Sequence, residues 1–239
     1  MSLFDKLTTE GLEKQEDRLG GYSVLPTDIY ISKIKVAYVT TSAGGAMGVN
    51  LILDINNQEY RETVYVTNKE GKNYFINNNK KKVPLPGFSI IDNICLITTG
   101  SPLSEQETED KVLQIYDYEQ GKEVPQNVPV ITELSGKEVA VAIVDEIENK
   151  REKKGNEYVP VAESREVNHI THVFHPEEKK TVVEALNDKE ATFWDRWLEK
   201  NQGKKIDRRT IKDGNNTAPS SSGSDKPAQS PRKSLFGNK

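Results

Sequence analysis

The chain has 239 residues, 34% of them hydrophobic and 29% charged, a balance too polar for the whole length to pack into one globule. Its single cysteine, Cys95, excludes an internal disulfide; the opening Met1-Ser2-Leu3-Phe4-Asp5 lacks a signal-peptide core and no apolar run reaches membrane-spanning length, which together predict a cytoplasmic protein. The net charge of −4 is uneven, with +7 over residues 200–239 and −11 over the rest, so only local clusters of cations can attract a polyanion to the acidic body.

Residues 1–19 read as a helix, with Leu3, Phe4 and Leu7 one turn apart, Ser2 and Asp5 in capping positions and Gly20-Gly21 closing the segment. From Ile29 to Val39 the apolar parity switches: Ile29 and Ile31 share one face, and Ile34, Val36 and Tyr38 take the other, as a bulge in a long curved strand produces. After a turn at Gly44-Gly45, Val49, Leu51, Leu53 and Ile55 alternate. Asn56-Asn57 then offers a positive-φ hairpin turn, and Tyr60, Val64 and Val66 return.

Beyond Pro86-Gly87 the spacing of Ile90, Ile91, Ile94 and Cys95 predicts a short buried helix behind Ser89 and Asp92, although so short a run also reads as a strand. Strands follow at Val112 to Tyr118 and at Val139, Val141, Ile143 and Ile147. The second enters a charged loop, Asn149 to Asn156, and returns near Tyr158. Asn187 and Glu190 resemble a capping box before an amphipathic helix carrying Phe193, Trp194, Trp197 and Leu198, whose rings are expected to dock on the core. From Asn201 onward Gly, Asn, Ser, Pro and Lys dominate, so the reading is a domain over 1–202 and a disordered basic tail over 203–239. Three curved strands, a helix and a second hairpin outline a mainly β, OB-like antiparallel Greek-key barrel with extra strands and terminal helices; a β-sandwich is the alternative.

No pattern for catalysis, a cofactor or a metal stands out. Gly44, Gly45 and Gly48 lack the spacing of a phosphate-binding loop, no serine stands in a nucleophile elbow, and Cys95 sits in an apolar run. His169, His172 and His175 are spaced by three, but along a strand His172 points away from the other two. The acidic run Glu105, Glu107, Glu109 and Asp110 reads as a solvated loop. A metal-dependent nuclease using these groups is the weakest of the functional readings.

The stretch from Tyr65 to Lys82 has a different character. It sets Lys69, Lys72, Lys80, Lys81 and Lys82 among Tyr65, Tyr74 and Phe75, with Arg61 just before it. Rings that stack on unpaired bases and cations that neutralise phosphates are what single-stranded nucleic acid asks for, whereas the plain alternative is a solvated hairpin with its rings in the core. Lys150, Arg151, Lys153 and Lys154 form a second basic patch at a hairpin tip that can border the same face of an OB-type barrel. The tail adds Lys204, Lys205, Arg208 and Arg209, and ends in Arg232, Lys233, Ser234, Leu235, Phe236, Gly237, Asn238 and Lys239. Its Leu-Phe pair after a long polar spacer looks like a docking motif for a protein partner, or the tail is only a solubiliser.

Several blocks are more specific than these patterns: M-S-L-F-D-K-L-T-T-E-G-L-E with R-L-G-G, Y-R-E-T-V-Y-V-T-N-K, K-K-V-P-L-P-G-F, P-L-S-E-Q-E-T-E-D-K and the closing K-S-L-F-G. Together they resemble the single-stranded-DNA-binding proteins of enquatrovirus-type podophages (Schitoviridae), over residues 1 to about 200 and again at the terminus. The resemblance implies a non-enzymatic protein of the host cytoplasm that coats single strands during phage DNA replication and recombination. It also implies contact with host RNA polymerase through the carboxyl-terminal segment in late transcription, with phage replication proteins as further partners. Tyr74 and Phe75 fall in the region it assigns to DNA, and Lys233 to Lys239 in the partner-contacting end. The spacer from Asn201 to Pro231 is where this chain is expected to depart from its relatives, and the acidic tip of bacterial counterparts is absent. The alternative functional reading is a transcription cofactor that acts mainly by protein contact.

Overall fold

The computed structural model describes residues 24–117, 120–155, 157–212 and 215–216. The elements run β1 (Asp28–Thr41), β2 (Met47–Ile55), β3 (Gln58–Tyr65), β4 (Tyr74–Ile76), β5 (Lys82–Pro84), α1 (Pro86–Thr99), β6 (Glu109–Asp117) and β7 (Lys122–Val130). They continue through β8 (Glu138–Lys154), β9 (Glu157–Phe174), α2 (Val182–Leu186), α3 (Phe193–Asn201), β10 (Lys205–Asp207), β11 (Ile211–Lys212) and β12 (Asn215–Asn216). The fold is mainly β. The expected helix at 1–19 and the terminal motif at 232–239 lie outside the described residues.

One long strand organises the sheet. The first half of β1 pairs antiparallel with β8, from Asp28↔Ile143 to Lys33↔Glu138, and its second half pairs with β2, from Lys33↔Asp54 to Thr41↔Met47. On the edge that β8 leaves, the Ala37 carbonyl accepts from Ile131 N (2.9 Å) and Tyr38 pairs with Val130 of β7. The register shifts between Ile34 and Val36, so the expected bulge is present, but it falls after Ile34 rather than between Ile31 and Ile34, and Ile34 does not share a face with Val36 and Tyr38. Ile34 points into the core with Ala37, while Val36 and Tyr38 pack on the outer face. Bending β1 in this way lets the path β9-β8-β1-β2-β3 wrap around one core of Val49, Leu51, Leu53, Ile143 and Ile170. The β2–β3 turn is the two-residue, positive-φ type expected, with Asn56 at +53° and Asn57 at +63°.

The sheet is antiparallel along the path β9-β8-β1-β2-β3, but it does not close into the expected OB-like barrel. No ladder joins β3 to β9 among the described residues, and the two edges are bridged by a side chain instead. The Glu62 carboxylate of β3 accepts from Ile170 N (2.9 Å) on β9 and from the Tyr60 hydroxyl (2.7 Å), and it meets His169 Nδ1 at 3.1 Å. Helix α1, which touches both β3 and β9, buries Ile91, Ile94 and Cys95 beneath this seam. It begins a turn earlier than expected, with Pro86 at its first position and Leu85 as N-cap, and ends at left-handed Gly100. Asp92 does not cap it but accepts from Leu103 N (2.8 Å).

Other expectations need correcting. The loop expected over 149–156 is paired backbone: β8 runs on to Lys154 and β9 starts at Glu157, making a ribbon that leaves the body after Asn149. Strand β7 is an element that the alternation of the sequence does not reveal, because Pro125 and Pro129 interrupt its pattern. Each lacks an N–H, and an edge strand tolerates that. The capping box sits at Thr181 and Glu184 rather than at Asn187 and Glu190. The buried Glu184 also accepts from Thr192 N (2.9 Å) and Phe193 N (2.8 Å), so one carboxylate caps both α2 and α3 and sets Trp194 and Trp197 against Phe174. The Trp pair is buried as expected.

The fold also continues past residue 202. Gly203 N donates to the Thr27 carbonyl (2.8 Å), β10 pairs in parallel with β8, and the Asn149 carboxamide accepts from Thr210 and Ile211 N. This segment is held because the β8–β9 edge is acidic. Lys205 meets Asp145 and Glu166 at 3.4 and 2.7 Å, and Arg208 meets Glu146 at 3.2 Å.

Two stability predictions follow from these carboxylates. Glu184→Ala removes a cap from two helices, and urea denaturation is expected to show a loss of about 2 kcal/mol, about one cap for each. Burial works to raise the Glu184 pKa, but hydrogen bonds from Thr181, Phe193 and Thr192 outweigh it and hold the carboxyl low. Its contribution is therefore full above pH 4.5 and lost as the pH falls through its lower folded value. At the seam, the hydrogen bond to Glu62 raises His169 above its ordinary 6.5 despite burial, with Glu146 and Glu148 adding to the pull. That contribution is present below pH 6.5 and lost as the pH rises through the higher folded value. The denaturation midpoint is expected to fall between pH 6 and pH 8.5 in the native chain and to fall less in Glu62→Gln.

Candidate nucleic-acid interface

Alternation along β2 and β3 divides core from surface. Val49, Leu51 and Leu53 face inward with Tyr60 and Val64; Gly48, Asn50 and Ile52 therefore face outward opposite Tyr65, Thr63 and Arg61. The β6–β7 hairpin folds over part of this outer face, burying Val128 and Val130 against Tyr38. Between the hairpin and β3 an open groove of about 300 Å³ remains, with Asn50 and Thr63 on its floor and Arg61, Ile115 and Tyr116 at its sides.

The groove is polar at its base, with the Tyr116 ring on one side and Tyr65 further along the outward row of β3. The Asn50 amide donates to Thr40 Oγ1 (2.8 Å) and its oxygen accepts from Thr63 Oγ1 (2.5 Å), which fixes the floor. Tyr65 is 51% exposed and leans over Gly48, where a Cβ would come within 3.3 Å of the ring. Glycine at 48 thus gives the ring a seat on bare backbone. Tyr116 is 44% exposed on the hairpin side. Arg61 is engaged by Glu59 (2.6 Å) and more loosely by Glu123 (3.7 Å), so a phosphate must compete with two carboxylates for it.

Lys69 belongs to the same end of the sheet. The Asn68 side chain accepts from Glu70 N and Lys72 N (both 2.9 Å), closing a turn whose Lys69 carbons lie against Gly44 in the β1–β2 turn. The Asn77 side chain repeats the device with Asn79 N and Lys81 N, and Lys80 takes the left-handed position that Gly71 occupies in the first turn. Between the two turns lies β4. The small β4–β5 hairpin is tied at its root by Leu85 N to the Asn73 carbonyl (2.9 Å). Just beyond, Gly87 allows α1 to press on the Tyr65 carbonyl, where a Cβ would collide. The hairpin therefore leaves the body beside Tyr65.

The expected cluster is divided, however. Tyr74 and Phe75 are adjacent on a strand and point to opposite faces of the ribbon. Lys82 Nζ lies 4.6 Å from the Tyr74 ring centre, occupying one of its faces, whereas Phe75 is 46% exposed on the other side. Lys72 pairs with Glu70 (2.6 Å); Lys69, Lys80 and Lys81 have no ion pair among the described residues.

The second basic patch stands apart. Lys150 occupies the bulge after Asn149 and pairs with Glu163 (2.6 Å). Arg151 and Lys153 share one face of the ribbon with Tyr158, which is 64% exposed opposite Lys153, and Lys154 faces the other way. The ribbon projects beyond the Asp28 end of β1 and the Lys69 turn beyond the Thr41 end, so one DNA strand reaches both only by running along β1.

The remaining candidates have other partners. His169 faces Glu62, the His172 ring lies 5.1 Å from that of Phe193, and His175 Nδ1 meets Glu178 N at 3.2 Å. Burial pushes the Cys95 thiol up to about 12, which leaves it unreactive. Among the described residues no three His, Cys, Asp or Glu side chains gather as a metal site, and no helix is long and apolar enough to cross a membrane. No protein-family profile matches the chain, and no curated protein sequence matches it.

Proposed function

We propose that the protein binds single-stranded DNA across the outer face of β1, β2 and β3, without strong sequence preference, in the service of phage DNA replication and recombination. The observation that carries this reading is Tyr65, a ring half exposed over Gly48 on the same outward row of β3 as Thr63 and Arg61, which line an open groove together with Tyr116. A base stacks on such a ring whatever its identity, and the polar floor accommodates sugar and base edges. Lys69 supplies a cation at the same end of the sheet, and the adjoining β4–β5 hairpin carries Lys80 and Lys81 in its turn and the half-exposed Phe75. The sequence resemblance to the podophage proteins supports the same reading. This is the chemistry of a binding module rather than an enzyme.

Fluorescence titration with oligonucleotides is expected to show clear preference for single strands over duplex. Tyr65→Ala is expected to weaken binding roughly five- to 150-fold, the equivalent of about 1 to 3 kcal/mol for one stacked base. Equal affinity for both DNA forms, or an unchanged Tyr65→Ala, removes the reading. Lys69→Ala is expected to reduce the slope of log affinity against log salt by about one unit.

The carboxyl-terminal residues Arg232 to Lys239 are proposed, on the sequence resemblance, to contact host RNA polymerase. Deleting 231–239 is expected to abolish polymerase association in a pull-down while leaving oligonucleotide affinity unchanged; retained association contradicts the assignment.

A further inference from the structure

Among the described residues, Arg61 is the one basic side chain lining the groove between β3 and the β6–β7 hairpin. Its two carboxylate partners hold it unequally. Glu59 Oε1 accepts from Arg61 Nε (2.6 Å) while Glu59 Oε2 accepts from Lys35 Nζ (3.2 Å), so this carboxylate is anchored twice within the sheet. The hydrogen bond from Arg61, with that from Lys35, holds the Glu59 carboxyl below its ordinary value against the effect of burial. Glu123 stands 3.7 Å from Arg61 Nη2, beyond hydrogen-bonding distance, and its side chain is half exposed. It belongs to β7, where its ladder partner is Tyr116 on the same face of the hairpin.

We infer that Glu123 is a built-in competitor for the single strand: a DNA phosphate takes its place at Arg61 Nη2, while Glu59 keeps Nε. The inference rests on the reading of this face as the single-strand site and adds how that site is held before DNA arrives. A guanidinium fork recognises carboxylate and phosphate by the same geometry, so Glu123 stands where a phosphate fits. Breaking an exposed pair that makes no hydrogen bond costs little, whereas removing Glu59 would also strand Lys35. A nucleotide whose base stacks on Tyr116 brings its phosphate to the side of the hairpin that Glu123 occupies. Lys35 and Arg61 are balanced by Glu59 and Glu123, so a simple anion meets no excess of positive charge at this end of the groove. A strand that also stacks gains enough to displace Glu123.

A double-mutant cycle on the full chain, read by fluorescence titration with labelled oligothymidylate, tests it. Glu123→Gln keeps the shape of the side chain and removes its charge, and is expected to tighten binding roughly two- to fivefold, the weight of an exposed ion pair. In an Arg61→Ala background the same substitution is expected to leave affinity unchanged. Equal affinities of the native chain and Glu123→Gln overturn the inference. So does a gain that persists in full in Arg61→Ala, because it then comes from the general field of the carboxylate and not from its hold on Arg61. A larger gain from Glu59→Gln than from Glu123→Gln also overturns it, by making Glu59 the group displaced. A native chain that binds no oligothymidylate removes the DNA reading and the inference together, whereas native binding with an unaltered Glu123→Gln removes the inference alone.

Discussion

The bend in β1 is the constraint on which the rest of the structure depends. A strand paired with β8 along its first half and with β2 along its second must turn between them, and the register shift at Ile34/Val36 is where it does so. That single irregularity sends Ile34 and Ala37 into the core and Val36 and Tyr38 outward, where they hold the β6–β7 hairpin. Without the bend the sheet would not wrap around α1, and the outer face would have no second wall. The groove beside Tyr65 is thus a consequence of backbone geometry more than of any one side chain within it.

Side chains bridge gaps that the backbone leaves open. Glu62 spans the gap between β3 and β9, and Glu184 draws the starts of two helices together, each carboxylate accepting from backbone amides that would otherwise be unsatisfied. The basic segment that follows α3 obeys similar electrostatics, since Lys205 and Arg208 are committed to Asp145, Glu166 and Glu146 rather than held out for phosphate.

Much of this was legible in the residues. Clean alternation marked β2, the Asn56-Asn57 pair marked its turn, and the Ile90 to Cys95 spacing marked α1, because each signal is local. The boundary at 202 was misplaced because the partners of Lys205 and Arg208 are some sixty residues away in sequence, on β8. Tyr74 and Phe75 counted as a pair in the sequence but are opposed on a strand, so proximity in the chain overstated their cooperation. Asn50, Thr63 and Tyr116 are not legible as a group in the sequence for the converse reason. They come from three strands and form a site only after β6–β7 folds over β1, although the outward parity of Asn50 and Thr63 was already present in the alternation of β2 and β3.

The central claim is that bases lie against the outer face of β1, β2 and β3. Photo-cross-linking with a bromodeoxyuridine-substituted single-stranded oligonucleotide, followed by mass spectrometry of the attached peptides, addresses it most directly. The account predicts adducts at Tyr65 and Tyr116. Adducts confined to Tyr158 on the ribbon, with none on β3 or β6, would contradict it.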